Sequence, residues 1–384
     1  MSTQVETDES DVREEYVNNE ATGVEVEGED PGPSTSEPWD PEKIKIYTKT
    51  YSLRQIIDMI ADGDVDLAPD FQRKYVWKDW QRWGLVESIL LGIPMPSFYF
   101  NEDRDGRLQV VDGVQRLTTL RMFANGEFAL EKLAYLKALE GKRFSDIEGM
   151  FRRRLQATQL VAHVIDPQTP LRLKFDVFKR INTGGSPLSA QEIRHCMSRE
   201  PSRGLLTRLV GLKVFQEVMG PAVLNHPRMA DREIALRLIA FHVLPVEEYP
   251  KSDSLDGFLG AVTEKIDGKM SGEEIGRLES LAQRSLENAR LVFGDYTFRK
   301  WPEGVDRKNP ISRTLVESWG TALAFAEPKD VMRVAEALRA KARMMMNPTS
   351  TSEFFNSITE GTGDDEKVKT RMSLAAAAVA ELLS

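Results

Sequence analysis

Hydrophobic positions recur in two different ways along this chain, and the change falls near residue 200. Between Ile44 and about residue 200, short β-like runs separate segments whose apolar residues are three and four apart, the helical spacing. Beyond residue 200 only the helical spacing recurs, in segments near 203–219, 228–243, 271–293, 312–326, 328–346 and 365–383. The pattern predicts an α/β (α+β) domain over 41–200 and an all-helical domain over 201–384.

The most regular part of the first domain is a hairpin followed by a helix. Ser97 to Glu102 and Arg107 to Asp112 are predicted strands, because the residues 103–106 between them, DRDG, are a turn signal. A helix with apolar residues on one face follows directly and ends at Asn125-Gly126. Further along, 156–165 is a predicted strand and 171–181 a predicted helix.

Residues 1–40 differ from the rest in composition, with thirteen acidic residues and one basic residue, Arg13. Such a segment is expected to be a disordered acidic tail, because it offers little apolar surface to offset the entropy of ordering. Its charge of −12 within a chain total of −9 leaves residues 41–384 mildly basic at +3.

The single cysteine, Cys196, excludes an internal disulfide and a cysteine-based zinc site, which fits a reducing compartment. The first thirty residues lack the basic start and apolar run of a signal peptide. The longest apolar stretch is far shorter than the roughly 20 residues of a membrane span. A soluble, cytoplasmic protein is therefore expected.

A candidate phosphate site lies where the second hairpin strand runs into the following helix. The unpaired amides of a helix N-terminus favour anions, and Gly113 lets the backbone approach a ligand closely. Arg116 can donate a forked pair of hydrogen bonds to phosphate, and Asp112 can hold Mg²⁺. The alternative is that Asp112 caps the helix and Arg116 is a surface salt-bridge partner.

An aromatic and basic segment precedes this site, with residue types suited to nucleic acid: Phe71, Arg73, Lys74, Tyr75, Trp77, Lys78, Trp80, Arg82 and Trp83. Trp80 and Trp83 lie on the apolar face of a predicted helix, so a core position is the favoured interpretation. Gln72 and Arg73 precede that helix and are the better functional candidates.

Two further segments are candidates for binding. Asn182 and Gly184 lie in a loop that could reach a nucleotide, whereas Glu192 is assigned to a capping box with Ser189. Residues 141–208 hold thirteen basic against six acidic residues, including the consecutive Arg152, Arg153 and Arg154. This excess favours a DNA-contacting surface. An ordinary solvated face and a docking surface for the acidic tail are the alternatives.

Four ordered segments then stand out over about 125 residues: 70–77 (DFQRKYVW), 91–96 (LGIPMP), 111–119 (VDGVQRLTT) and 181–194 (INTGGSPLSAQEIR). Together they resemble the GmrSD restriction endonuclease N-terminal domain family of the ParB-like and sulfiredoxin-like superfamily. Asp112, Gly113, Gln115 and Arg116 match its Asp-Gly-Gln-Gln-Arg signature, and Val114 replaces the first Gln. The C-terminal half has no suitable arrangement for the family's usual His-Asn-His nuclease domain, so the chain resembles its stand-alone members.

The resemblance implies a ParB-like nucleotide-binding fold and defence against foreign or modified DNA through NTP hydrolysis. In this hypothesis Asp112, Gln115 and Arg116 are catalytic, with Asp112 as the Mg²⁺ ligand. Gln72, Arg73, Gly113, Asn182 and Gly184 complete the nucleotide site. A non-catalytic, nucleotide-gated switch that clamps DNA or a partner, and a metal-dependent nicking nuclease, are the alternatives. The partners expected are DNA and a separate nuclease or other defence protein, and a homo-oligomer is left open.

Overall fold

A computed structural model describes residues 12–17, 20–27, 45–67, 77–103, 105–181, 189–224, 226, 228–249, 254–349 and 351–384. The chain divides between Met197 and Ser198 into two compact units. The α/β unit is Trp39–Met197, and the helical unit is Ser198–Ser384 together with the N-terminal segment.

The strands among the described residues are β1 (Glu14–Val17), β2 (Glu20–Glu25), β3 (Ile46–Ser52), β4 (Val65–Asp66), β5 (Phe98–Glu102), β6 (Leu108–Asp112) and β7 (Gln159–Ile165). The helices of the α/β unit are α1 (Leu53–Asp62), α2 (Asp79–Leu91), α3 (Val114–Ala124), α4 (Gly149–Ala157), α5 (Leu171–Ile181) and α6 (Ala190–Met197).

The helices of the helical unit are α7 (Glu200–Gly211), α8 (Lys213–Met219), α9 (Pro221–Leu224), α10 (Ala230–Val243), α11 (Leu255–Lys269), α12 (Gly272–Phe293), α13 (Arg313–Leu323), α14 (Pro328–Met345), α15 (Glu353–Ser357) and α16 (Asp365–Leu383). The predicted fold class, an α/β part followed by a helical part, is confirmed.

The α/β unit is built on a mixed five-stranded sheet with the order β3-β7-β5-β6-β4. β7 and β5 run parallel, as do β4 and β6, and the other neighbours run antiparallel. Because successive residues of a strand face opposite sides, Val110 packs in the core with α1–α4, whereas Val111 packs in a smaller core with Phe178 of α5 and Ile193 of α6. The antiparallel β5–β6 pair leads directly into α3.

Two predicted element boundaries differ from the structure. The strand predicted from Gln156 begins at Gln159, because α4 continues to Ala157 and Thr158 forms the turn. The single helix predicted near 203–219 is two helices, α7 and α8, which meet at Leu212 in an extended conformation.

The helical unit buries an ion-pair network as well as an apolar core. Arg371 and Glu317 are both fully buried, with Arg371 Nη2 2.5 Å from Glu317 Oε2. Arg237 donates to the other oxygen of Glu317 at 2.9 Å and to Glu233 at 2.7 Å. Each of these buried charges has an opposite charge beside it, as an ion needs once it leaves water.

The expectation that the N-terminal 40 residues form a disordered tail is wrong for residues 12–17 and 20–27. β1 and β2 form an antiparallel hairpin within the helical unit, and the Val24 side chain is fully buried in its core. Thr22 is buried too, so the sequence Thr22-Gly23-Val24 carries a strand alternation that the acidic composition conceals. The described residues of this hairpin therefore pack, through Val24, in the core of their own unit.

None of the helices in the described ranges is both long enough and apolar enough to span a membrane.

Candidate functional site

The turn between β6 and α3 is the centre of the candidate site. Asp112 ends β6, and Gly113 takes the N-cap position of α3 with φ +97°. A Cβ at Gly113 would lie 2.3 Å from Cδ1 of Phe98, so both the backbone angle and the close approach of the ring require glycine. No side chain in the described structure caps α3 at this turn. First-turn amides without a side-chain cap are what an anion needs.

Arg116 lies at this turn but is engaged within the protein. Its guanidinium donates to Asp112 Oδ2 at 2.9 Å, to the carbonyl of Ser97 at 3.2 Å and to the carbonyl of Pro96. It also lies over the Phe98 ring, 4.4 Å from the centroid. Burial lowers the pKa of Arg116, and the nearby Asp112 carboxylate opposes this. These contacts correspond to the alternative interpretation, in which Arg116 is a salt-bridge partner.

Gln115 presents a different chemistry at the same turn. Its Oε1 atom is buried and has no hydrogen-bond partner within the described part of the chain. Burying an amide oxygen without a hydrogen-bond partner costs about 1–3 kcal/mol of folding free energy. A ligand that donates a hydrogen bond to Gln115 Oε1 would recover this cost. Its neighbour Val114 is buried in the core of the unit, which explains why an apolar residue is accepted there.

Asp112 is the carboxylate that could hold a metal ion at this turn. Its side chain is 40% exposed, and its Oδ2 accepts from Arg116. The described residues contain no group of three or more His, Cys, Asp or Glu that could hold a metal ion. Mg²⁺ can bind through one carboxylate together with water and nucleotide phosphates, and it then needs no such group. Asp112 fits this kind of Mg²⁺ site and not one made of protein ligands alone.

Gln72, Arg73, Asn182 and Gly184, the other predicted nucleotide-binding residues, lie outside the described residues. Glu192 caps α6 as predicted: its Oε2 accepts from the Ser189 amide at 2.6 Å, and its own amide donates to Ser189 Oγ at 3.1 Å.

The three consecutive arginines of α4 are all exposed. Arg154 donates to the carbonyl of Leu90 in the last turn of α2 at 2.8 Å, and Arg152 to the carbonyl of Ser145 at 3.4 Å. Arg154 and Arg116 thus bind the two ends of the segment from Leu90 to Ser97 that joins α2 to β5. The exposed basic face of α4 remains a predicted DNA surface.

The core positions predicted for two tryptophans hold for one of them. Trp83 is partly buried against the core, and its indole N–H donates to the carbonyl of Ala129 at 3.1 Å. Trp80 is 64% exposed, so its predicted core position is wrong. Trp80 lies in the first turn of α2, whereas the buried residues of this helix begin at Val86.

A buried polar chain crosses the second face of the sheet, and sequence reasoning missed it. Lys174 Nζ donates to Asn101 Oδ1 at 2.9 Å, and Asn101 Nδ2 donates to Gln109 Oε1 at 2.9 Å. All three side chains are buried. The signal was available, because Asn101 and Gln109 are amides within otherwise apolar strands.

A comparison with protein families gives a match over much of this unit. The model described as "GmrSD restriction endonuclease, N-terminal domain" matches residues 53–197. This range begins with α1 and ends with α6, and it contains the β6–α3 turn. A search of curated proteins found no match to the chain.

Proposed function

We propose, because residues 53–197 match the model of the GmrSD restriction endonuclease N-terminal domain, that the chain binds a nucleoside triphosphate as part of a system that restricts foreign or modified DNA. The family supports a role in restriction and an interaction with DNA. The nucleotide, its hydrolysis and its Mg²⁺ are the finer parts of the proposal.

The observation that carries the nucleotide site is the first turn of α3, which no side chain of the described residues caps. Gly113, itself buried, holds the N-cap position of α3 in the left-handed conformation, and the buried Gln115 oxygen lies one residue into the helix without a described partner. Amides at a helix N-terminus suit phosphate oxygens, whereas a free amide oxygen suits a donor such as a ribose hydroxyl or a bound water. The turn therefore offers both kinds of contact that a nucleotide needs.

Each residue of the turn has a separate role in this proposal. Asp112 holds Mg²⁺ through the carboxylate oxygen that Arg116 leaves open, and the metal, when bound, neutralises phosphate charge. Gln115 contacts the nucleotide directly. Arg116 acts as a positioning residue, because its donors already fix Asp112 and the carbonyls of Pro96 and Ser97. Gln72, Arg73, Asn182 and Gly184 are proposed to complete the pocket.

DNA is proposed to bind at the exposed arginines of α4, Arg152, Arg153 and Arg154, through its phosphates. Cleavage is proposed to need a separate nuclease or other defence protein. A reducing cytoplasmic location, expected from the single buried cysteine, completes the proposal.

The test is calorimetric titration of the full chain with ATP, GTP, CTP and UTP in Mg²⁺, together with phosphate release measured with and without DNA. Gln115→Ala is expected to weaken binding about fivefold, the equivalent of one hydrogen bond of about 1 kcal/mol. Gln283→Ala, an amide on the exposed face of α12, is the matched control and should bind as the wild type does. If no nucleotide binds the wild-type chain, the proposal fails.

The same preparations separate the two alternatives. Tight binding without phosphate release would identify the nucleotide-gated switch. Efficient nicking of supercoiled plasmid by the chain alone, lost in Asp112→Ala, would identify a nuclease. We expect phosphate release and little or no cleavage.

A further inference from the structure

The N-terminal hairpin is held by the helical unit in the way that a domain holds an extended peptide. The Glu25 amide donates to the carbonyl of Ile311 at 2.9 Å, and the Ile311 amide donates to the carbonyl of Gly23 at 2.8 Å. Between these two bonds the Val24 side chain enters the core and is fully buried. Main-chain pairing with a side-chain pocket is the chemistry of recognition by strand addition.

Three carboxylates of the hairpin segment bind cations of the helical unit. Glu27 forms a two-pronged pair with Arg237, with oxygen-to-nitrogen distances of 2.8 and 2.6 Å. Glu25 lies 2.5 Å from Lys300 Nζ. The third carboxylate, that of Glu15, contacts Arg313 at 3.3 Å and His226 Nε2 at 3.5 Å. The helical unit thus contacts the segment through its backbone, through the buried Val24 side chain and through its carboxylates.

In the described ion pairs around this segment, the helical unit contributes more cations than carboxylates. Within those pairs, residues 198–384 contribute the carboxylates Glu233 and Glu317, against the cations Arg237, Lys300, Arg313 and Arg371. Without the segment, Lys300 would lose its described acidic partner, and these four cations would share two carboxylates. A cleft with this excess, beside the isolated bridge position of Ile311, suits an anionic extended ligand.

We propose that this cleft, formed by Arg237, Lys300, Arg313, His226 and the backbone of Ile311, is a docking site for an acidic strand of a partner protein. The described residues 14–17 and 20–27 are its tethered occupant, which such a strand displaces. The fitting ligand has a β-branched anchor like Val24, with carboxylates one and three residues after it, like Glu25 and Glu27. An acidic peptide is favoured over nucleic acid because the cleft pairs with backbone amides and buries an apolar side chain.

The probe is a fluorescein-labelled peptide of residues 12–27, measured by fluorescence anisotropy against the full-length chain. Wild type should bind it weakly, because the tethered copy competes at high effective concentration. A full-length V24D/E27Q variant, whose own segment is weakened, should bind the peptide at least tenfold more tightly. Adding Arg237→Gln should remove that gain. Arg277→Gln, an exposed arginine of α12, should leave it intact.

The proposal would be overturned if the V24D/E27Q variant melts cooperatively and still binds the peptide as weakly as the wild type does. The proposal would also be overturned if the V24D/E27Q variant gained binding to duplex DNA and not to the peptide, because the cleft would then bind phosphates. Should that variant fail to fold, hydrogen exchange on the wild-type chain decides. The amides of Glu25 and Ile311 should exchange at least a hundredfold faster than those in the middle of α13. Exchange of both sets together would show that the segment leaves only on global unfolding.

Discussion

Arg116 Nη2 lies 2.9 Å from Asp112 Oδ2, so two residues that the sequence assigns to ligand chemistry are first of all each other's partners. Arg116 is 13% exposed and Asp112 is 40% exposed at the side chain. The arginine also satisfies two carbonyls ahead of β5. The pair therefore sets the shape of the β6–α3 turn before any ligand arrives.

Arg116→Ala should lower the free energy of unfolding by about 2–4 kcal/mol, because it removes three charge-assisted hydrogen bonds and leaves carbonyls unpaired. Asp112→Ala should cost only about 0.5–1.5 kcal/mol, since its carboxylate is far more exposed. Urea denaturation of both variants measures the difference. Equal losses would mean that Arg116 does not support the turn.

Gly113→Ala should destabilise the chain more than Gly63→Ala does. Both glycines have positive φ, at +97° and +80°, but a Cβ meets Phe98 at Gly113 and nothing within 4 Å at Gly63. Strain from φ alone costs about 1 kcal/mol, and the clash should add about 1–3 kcal/mol. The comparison by chemical denaturation isolates the clash, and matching values would show that the Phe98 ring moves aside at little cost.

Glu87 should be a strong anchor of the loop after α3. Its carboxylate accepts from the amides of Ala134, Tyr135 and Leu136 at 2.9, 2.7 and 2.8 Å. Burial acts to raise the pKa of Glu87, but these three amides outweigh it and the pKa is lowered from 4.5.

Glu87→Gln should therefore cost about 1.5–3 kcal/mol at pH 7. Because the folded pKa is lowered, the wild-type advantage is complete above pH 4.5 and declines as the pH falls further. Urea denaturation at pH 7 and pH 4 measures both values. Glu131→Gln, an exposed site in the same loop, is the control. An advantage that does not change with pH would contradict the ionised anchor.

His242 should make stability depend on pH. Burial lowers its pKa from 6.5 to about 4, so the unfolded chain binds a proton between these values when the folded chain does not. Stability from this residue is therefore present above pH 6.5 and is lost as the pH falls toward 4, by about 1–3 kcal/mol. His242→Gln should flatten the change in melting temperature between pH 7 and pH 4.5. An unchanged slope would exclude His242 as its source.

Deleting residues 1–27 should lower the melting temperature clearly. The deletion uncovers the site that Val24 fills and leaves Arg237 and Lys300 without their acidic partners from the hairpin. Loss of a buried aliphatic side chain alone costs about 2–5 kcal/mol. Calorimetric melting measures the effect, with a deletion of residues 1–11 as the control. A deletion of 1–27 that melts with the wild type would show that the hairpin adds nothing to stability.

The sequence was sufficient for elements whose pattern is local. The helix α3 ends at Ala124, immediately before the predicted stop at Asn125-Gly126, and the turn signal at 103–106 lies between the antiparallel strands β5 and β6. These features depend on a few adjacent residues, so periodicity and turn residues predict them.

The elements that the sequence did not predict depend on distant partners. The strand β2 is stabilised by Ile311 and by cations far along the chain, so its acidic composition alone suggested disorder. The contacts of Arg116 required knowing that Pro96 and Ser97 return to the start of α3. A side chain's partner across the sheet cannot be inferred from spacing along one strand.

The docking of β2 also has a consequence for synthesis on the ribosome. Glu25 precedes its partner Lys300 by 275 residues, which at about 5–20 residues per second corresponds to roughly 14–55 s of translation. Through that interval the α/β unit can emerge and fold, while the acidic hairpin has no cleft to enter. The hairpin can therefore dock only after the segment that carries Lys300 and Ile311 has left the ribosomal tunnel.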